Sequence, residues 1–264
     1  MKNIYFLSDA HLCIKEDNRE KEKRRKLLDF LEYIMTDGET RELYLVGDLF
    51  DFWFEWYHVI PKYWFPVLYR LRQVVDSGIT VGFITGNHDF YVGSYLREEI
   101  GLKCFNESCE FEVEAKRFFV AHGDGFAKKD RGYRLLKKII RSPLAIFLYK
   151  TFISADLGIQ LARWVSHSSR ELVNIDKSLW AEEYYRFAQK KFHQGFDYVI
   201  LGHIHYPIIK ENDSTGKTFA CCGDWMTYFS YAKYDGKRLS LEYWQDPLEK
   251  STRTTEARLF WGKR

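Results

Sequence analysis

Ile4-Tyr5-Phe6-Leu7-Ser8-Asp9-Ala10-His11 runs from a short apolar strand into two side-chain types that ligate metals. The same syntax returns further along the chain. Leu43–Val46 leads into Gly47-Asp48, and Thr80–Thr85 into Gly86-Asn87-His88-Asp89. Phe118–Ala121 leads into His122-Gly123-Asp124, and Tyr198–Leu201 into Gly202-His203-Ile204-His205. Runs this short, rich in β-branched and aromatic residues, are expected as buried strands rather than helix pieces. Glu20–Met35 and Lys62–Asp76 have helical character, so the N-terminal half reads β-α-β-α-β. Ligands of open α/β sheets bind beyond the carboxyl ends of the strands, where each of these polar residues falls. Lys217–Cys222, Tyr228–Tyr234 and Arg238–Trp244 read as later strands, with Tyr234-Asp235-Gly236-Lys237 as a hairpin turn. A second sheet packed on the first is expected.

Asp9, His11, Asp48, Asn87, His122, His203 and His205 make a mixed oxygen and imidazole set. Such a set suits two divalent ions better than one tetrahedral zinc. Alternation in Asp9-Ala10-His11 and His203-Ile204-His205 fits an extended backbone that puts both members of each pair on one face. Two cations about 3.5–4 Å apart can activate water near neutral pH and absorb charge on phosphoryl oxygens. Asp48 is suited to bridge them, since one carboxylate offers an oxygen to each. Any single His-Gly or Gly-Asp is common in turns; the reading rests on all of them occurring in order, each after an apolar run.

That order resembles the calcineurin-like metallophosphoesterases, whose signature runs D-x-H, G-D, G-N-H-[DE], H-G and G-H-x-H. The resemblance implies an α/β, two-sheet αββα sandwich. It implies that Asp9, His11 and His205 hold one metal, that Asn87, His122 and His203 hold the other, and that Asp48 lies between. In the phosphatase pattern Asp51 and His88 form a catalytic dyad, in which Asp51 favours the charged donor form of His88 and the imidazole serves the leaving oxygen. Asp89 and Asp124 are expected to orient ligands through hydrogen bonds.

Most of the chain is similar to the UDP-2,3-diacylglucosamine pyrophosphohydrolases of the lipid A pathway, within the same superfamily. The resemblance is carried by Ser8-Asp9-Ala10-His11-Leu12, Gly47-Asp48-Leu49-Phe50-Asp51-Phe52-Trp53 and Gly86-Asn87-His88-Asp89-Phe90. It continues in His122-Gly123-Asp124-Gly125, Asp130-Arg131-Gly132-Tyr133-Arg134 and Gly202-His203-Ile204-His205-Tyr206-Pro207. It implies water attack on the α-phosphate to give 2,3-diacylglucosamine 1-phosphate (lipid X) and UMP, with Mn2+ as the metal. It also implies substrate contacts at Asn87, His88, Asp130, Tyr133, Ser168, Arg170, Lys177 and His203. Well-known members carry Arg at the position of His88 and Glu at that of Asp51. Both differences move the chain toward the broader phosphatase pattern, so the alternative is a metallophosphoesterase acting on a soluble nucleotide or another phosphodiester. A phosphoesterase fold kept as a protein-binding scaffold would be expected to lose metal ligands, and all seven are present.

The 264 residues divide by character into a core of 1–125 with 196–264 and a helical lid of 126–195. The start of this insertion holds Lys128, Lys129, Arg131, Arg134, Lys137, Lys138 and Arg141 against Asp130, followed by Leu144-Ala145-Ile146-Phe147-Leu148-Tyr149. An apolar run beside a basic cluster describes either helices packed on each other or a face for anionic lipid and acyl chains. A net charge of +3 gives no argument for nucleic acid. Cys13, Cys104, Cys109, Cys221 and Cys222 lack CxxC spacing and read as free thiols of a reducing compartment. Neither a secretory segment nor a membrane span is evident. The expected location is cytoplasmic, peripheral to the inner membrane, with a lipid-linked UDP-sugar as partner.

Overall fold

The computed structural model describes residues 2–14, 17–126, 137–161, 177–212 and 214–245. The first sheet is built from β1 (Asn3–Leu7), β2 (Thr40–Val46), β3 (Thr80–Ile84) and β4 (Lys103–Phe105), joined in parallel. Helices α1 (Asn18–Thr36) and α2 (Phe65–Asp76) make the crossovers. β10 (Ser230–Tyr234) pairs antiparallel with β1, and β11 (Leu239–Tyr243) closes that edge, giving the order β11-β10-β1-β2-β3-β4. β5 (Ser108–Val113), β6 (Lys116–Ala121), β7 (Tyr198–Leu201), β8 (Pro207–Glu211) and β9 (Thr218–Cys222) form the second sheet, in the order β5-β6-β7-β9-β8.

Period-two alternation divides β1 between two cores. Tyr5 and Leu7 face α1 and α2, packing with Leu27, Phe30 and Leu71, while Ile4 and Phe6 face the second sheet and meet Phe118, Val120 and Ile200. On the far side of the second sheet, Phe119, Val199, Leu201 and Phe219 pack against α4 (Lys177–His193) through Tyr184, Ala188 and Phe192. The layers therefore run α-β-β-α, the architecture expected. The expected 126–195 insertion differs from the observed arrangement at its end. α4 belongs to the sandwich, because Ala181, Tyr184, Ala188 and Phe192 recur at helical spacing and are all buried. The described part of the insertion between Phe126 and Lys177, residues 137–161, does not belong to that packing.

That part includes α3 (Pro143–Phe152), capped by Ser142, whose hydroxyl accepts from the Ala145 amide at 3.3 Å, with Pro143 at its first position. α3 buries no residue fully. It is fastened to the core loop after β2. The Trp56 indole N–H donates to the Ile153 carbonyl at 3.0 Å, and the Tyr149 ring lies 4.8 Å from Phe54. Asp130, Tyr133, Ser168 and Arg170 lie outside the described residues, as does the side chain of Lys177.

Candidate metal centre

The carboxyl ends of β1, β2, β3, β6 and β7 meet at one point, and their loops are cross-linked by backbone hydrogen bonds. The Asp9 amide donates to the Gly47 carbonyl (3.1 Å), the His11 amide to the Asp48 carbonyl (2.9 Å) and the Gly202 amide to the His122 carbonyl (2.9 Å). The chain turns sharply enough that Asp9, His11, Asp48, His203 and His205 all have positive φ, between 40° and 72°. Non-glycine residues seldom adopt that region, and when they do they cluster at functional sites. The extended backbone expected for the Asp9 and His203 pairs is thus absent. Strand geometry ends one residue or more before the first ligand of each pair, and the left-handed turns aim the side chains. Gly47, at φ 81°, leaves the space that the His122 ring fills, and a Cβ there would overlap the ring.

All seven expected ligands come together, in two groups that share Asp48. Asp9 Oδ1 lies 3.6 Å from His11 Nε2 and 3.5 Å from His205 Nε2. Asp48 Oδ2 lies 3.6 Å from His11 Nε2 and 3.2 Å from His122 Nε2. His122 Nε2 is also 3.2 Å from Asn87 Oδ1 and 3.2 Å from His203 Nδ1. Asp9, His11 and His205 form one set close enough to share an ion and Asp48, His122 and His203 another, and a third set of His11, Asp48 and His88 joins the two.

The donors fit divalent cations. Asp9 Oδ1 and both ring nitrogens of His11 are buried without a hydrogen-bond partner. Buried polar atoms are normally satisfied, and a cation on Asp9, His11 and His205 would satisfy them. Protonation agrees. Burial pushes His11 and His203 down to about 4, so both are neutral and ready to ligate. Burial opposes charge on His122 too, but Asp48 and Asp9 outweigh it and push the imidazole up to about 10. Burial likewise opposes charge on Asp9 and Asp48. The surrounding imidazoles overcome it and hold both carboxyls below the usual carboxylate range.

A ring of further contacts aims these groups. Ser8 donates its hydroxyl to Asp9 Oδ2 at 2.6 Å, and the His203 amide donates to the same oxygen at 2.8 Å. His122 Nδ1 lies 2.9 Å from the Val46 carbonyl, which sets Nε2 toward the centre when Nδ1 carries a proton. Asp89 accepts from the amides of Gly86, Asp48, Leu49 and Phe50. Burial pushes its carboxyl up to about 7 and Asp48 adds to this, while the amide donors pull it down. Asp124 accepts the Lys137 ammonium at 2.8 Å, and burial's opposition to its charge is overcome by His122 and Lys137.

The residues of the expected dyad also meet at the centre. His88 Nδ1 is 2.9 Å from the backbone carbonyl of Asp51 and 3.7 Å from its carboxylate. The carbonyl is the nearer acceptor, so Asp51 orients the imidazole chiefly through its main chain. His88 Nε2 then faces Asp48 Oδ2, 4.0 Å away. One residue of this shell was missed in the sequence. Buried Asp224 lies 3.6 Å from His205 Nδ1 and accepts from the amides of Met226, Thr227 and Tyr228. It offers the carboxylate that commonly orients a metal-bound imidazole. The signal was available, since Gly223-Asp224 follows the apolar run of β9 as Gly47-Asp48 follows that of β2.

Two carboxylate–imidazole sets joined through His11 and Asp48 at the ends of parallel strands define the site of a metal-dependent hydrolase of phosphate esters. The calcineurin-like phosphoesterase profile matches residues 2–207, and the chain belongs to that family. It is 31% identical over 259 residues to a Porphyromonas gingivalis protein named UDP-2,3-diacylglucosamine hydrolase, spanning 92% of this chain and 98% of the relative. Proteins of the same name from Neisseria meningitidis serogroup B and Vibrio vulnificus are 28% and 26% identical, over 89% and 90% of this chain and 95% and 96% of theirs.

Proposed function

We propose that the protein hydrolyses the pyrophosphate of UDP-2,3-diacylglucosamine by water attack on the α-phosphate, giving 2,3-diacylglucosamine 1-phosphate and UMP. The observation that carries this reading is similarity over nearly the whole of both chains to relatives bearing that substrate's name. An exposed apolar face on the insertion supports it. Leu144, Phe147 and Phe152 are more than half exposed on α3, whose anchoring loop also carries Asp51.

Divalent ions, with Mn2+ as our choice, would supply an acidified water and positive charge for the phosphoryl oxygens. Asp9, His11 and His205 would hold one and Asn87, His122 and His203 the other, with Asp48 shared. Asn87, His88 and His203 would touch the α-phosphate. His88, turned by the Asp51 carbonyl, would present Nε2 to the departing or non-bridging oxygen. Asp130, Tyr133, Ser168, Arg170 and Lys177 are proposed to reach the glucosamine phosphate and its acyl amides. The natural location would be the anionic cytoplasmic surface of an inner membrane. Among the described residues no helix is long and apolar enough to cross a membrane.

The experiment is hydrolysis of the diacylated UDP-sugar in H2¹⁸O with mass spectrometry of the products. Label in UMP and none in the sugar phosphate is expected. Activity confined to soluble nucleotides, or label in the sugar phosphate, would overturn the reading. The second reading, a phosphoesterase of soluble nucleotides, is favoured by His88 and Asp51 as residue types, since well-known lipid enzymes carry Arg and Glu at these positions.

A further inference from the structure

The Gly86–Asp89 loop presents Asn87 and His88 to the metal centre, and its backbone is pinned on several sides. The Gly86 amide donates to Asp89 Oδ1 at 2.8 Å and the His88 amide to Asp48 Oδ1 at 2.8 Å. The His88 carbonyl accepts from the Trp53 amide at 3.1 Å. The Gly86 carbonyl is met from outside the core, by Arg141 Nη2 at 2.7 Å. We propose that Arg141 is a positioning residue supplied by the insertion, which fixes Asn87 and His88 through the Gly86 carbonyl.

The Gly86 oxygen and the Asn87 nitrogen belong to one rigid peptide plane. Holding that oxygen therefore sets the plane from which the Asn87 side chain departs and the next residue, His88, follows. The loop has little room at Gly86, where a Cβ would overlap Asp48. The guanidinium is itself held. It lies 3.6 Å from Asp124 Oδ2, an oxygen it shares with Lys137, and 5.4 Å from the centroid of Phe90, the residue after the loop. Arg141 immediately precedes the Ser142 cap of α3, and the far end of α3 is tied to Trp56. The insertion thus grips three strand-end loops, after β2, β3 and β6, and Arg141 is the grip that touches the backbone bearing Asn87. A planar fork with fixed donors suits this task better than a flexible ammonium.

The proposal rests on the phosphoesterase assignment and not on the lipid substrate, so a short aryl phosphodiester is the probe. Arg141→Ala should lower kcat on it about 10- to 100-fold, the usual cost of losing a partner that aims a metal ligand. KM, the melting temperature and manganese stoichiometry should hardly move. Millimolar methylguanidinium should restore part of the rate to Arg141→Ala and none to wild type, and Arg141→Lys should fall between. Unchanged turnover would overturn the proposal. So would a loss that follows melting temperature or metal content and resists methylguanidinium. A defect confined to KM for long acylated substrates would also overturn it, by making Arg141 a substrate contact.

Discussion

His122 carries the sharpest electrostatic consequence at the scale of single residues. Asp48 and Asp9 hold its imidazole protonated up to about pH 10 in the metal-free protein. A nitrogen must be bare to coordinate, so an ion entering this set at pH 8 must expel a proton from His122. His11 and His203, pushed down to about 4, have none to give at that pH. The sign follows: apparent metal affinity weakens as pH falls from about 10. Calorimetry of manganese binding at pH 8, in buffers of different ionisation enthalpy, should show proton release. His122→Ala should reduce that component and leave what His205 releases, since burial of that imidazole is likewise outweighed by Asp9 and Asp224, which raise it too. Asp48→Asn should reduce it because the anion that retains the His122 proton is gone. Buffer-independent heats in the wild type would show that His122 is not a ligand. Asp48→Ala, which removes the shared oxygen, should abolish hydrolysis and lower metal content at both sets, with the fold retained. Wild-type turnover in that variant would remove the two-metal reading.

Among the elements, α1 shows how a helix outside the site shapes it. Asp17 caps α1 by accepting from the Glu20 amide at 2.9 Å, and Glu20 and Lys23 then turn inward from the first turn. Lys23 pairs with Glu20 at 2.7 Å and donates to the His11 carbonyl at 2.7 Å, while Glu20 Oε1 accepts from the Cys13 amide at 3.0 Å. Both side chains are about nine-tenths buried, so removing Lys23 leaves the Glu20 carboxylate with only the more distant Arg24 guanidinium, 3.9 Å away. Lys23→Met should cost about 1–3 kcal/mol of stability, read as a fall in the urea midpoint, and turnover should drop as the His11 loop loosens. An unchanged midpoint would make the pair dispensable. This buried pair was not legible in the sequence, where Arg19-Glu20-Lys21-Glu22-Lys23 looks like any solvated helix face. The strand ends were legible because apolar runs and their polar stops are local signals. β4, β5 and β8 were not, since Lys103, Glu110, Glu112 and Lys210 break the apolar pattern on these strands at or near the sheet edges. α4 reads with the insertion in sequence because both are poor in Gly and in strand signals. Only the burial of Tyr184 and Ala188 against β6 and β7 separates them, and that partner lies far away in sequence.

For the molecule as a whole, the exposed apolar side chains gather where acids are missing. No Asp or Glu occurs between Glu55 and Asp76, or between Asp130 and Asp156. The first stretch exposes Tyr57, Val59, Tyr63, Phe65 and Tyr69, and the second Leu144, Phe147, Leu148 and Phe152. The two stretches touch, with Lys150 of α3 4.5 Å from the Tyr57 ring centre. Within the proposed function, this is the face that meets acyl chains and anionic lipid. Phe147, Leu148 and Phe152 are 53%, 45% and 72% exposed, so about half of their full burial energy is still available to a ligand. At roughly 1 kcal/mol each, replacing all three by Ser should weaken use of the diacylated substrate about a hundredfold. The short diester engages only the metal centre and should be hydrolysed at the wild-type rate. The melting temperature should hold, because the wild-type α3 buries no residue fully. Flotation with phosphatidylglycerol vesicles should fall in parallel, and less steeply in low salt, where the retained Lys150 and its neighbours act over a longer Debye length. Equal losses on both substrates would show that α3 supports the site rather than the lipid. Unaltered kinetics on the diacylated sugar would leave this face without a part in the reaction.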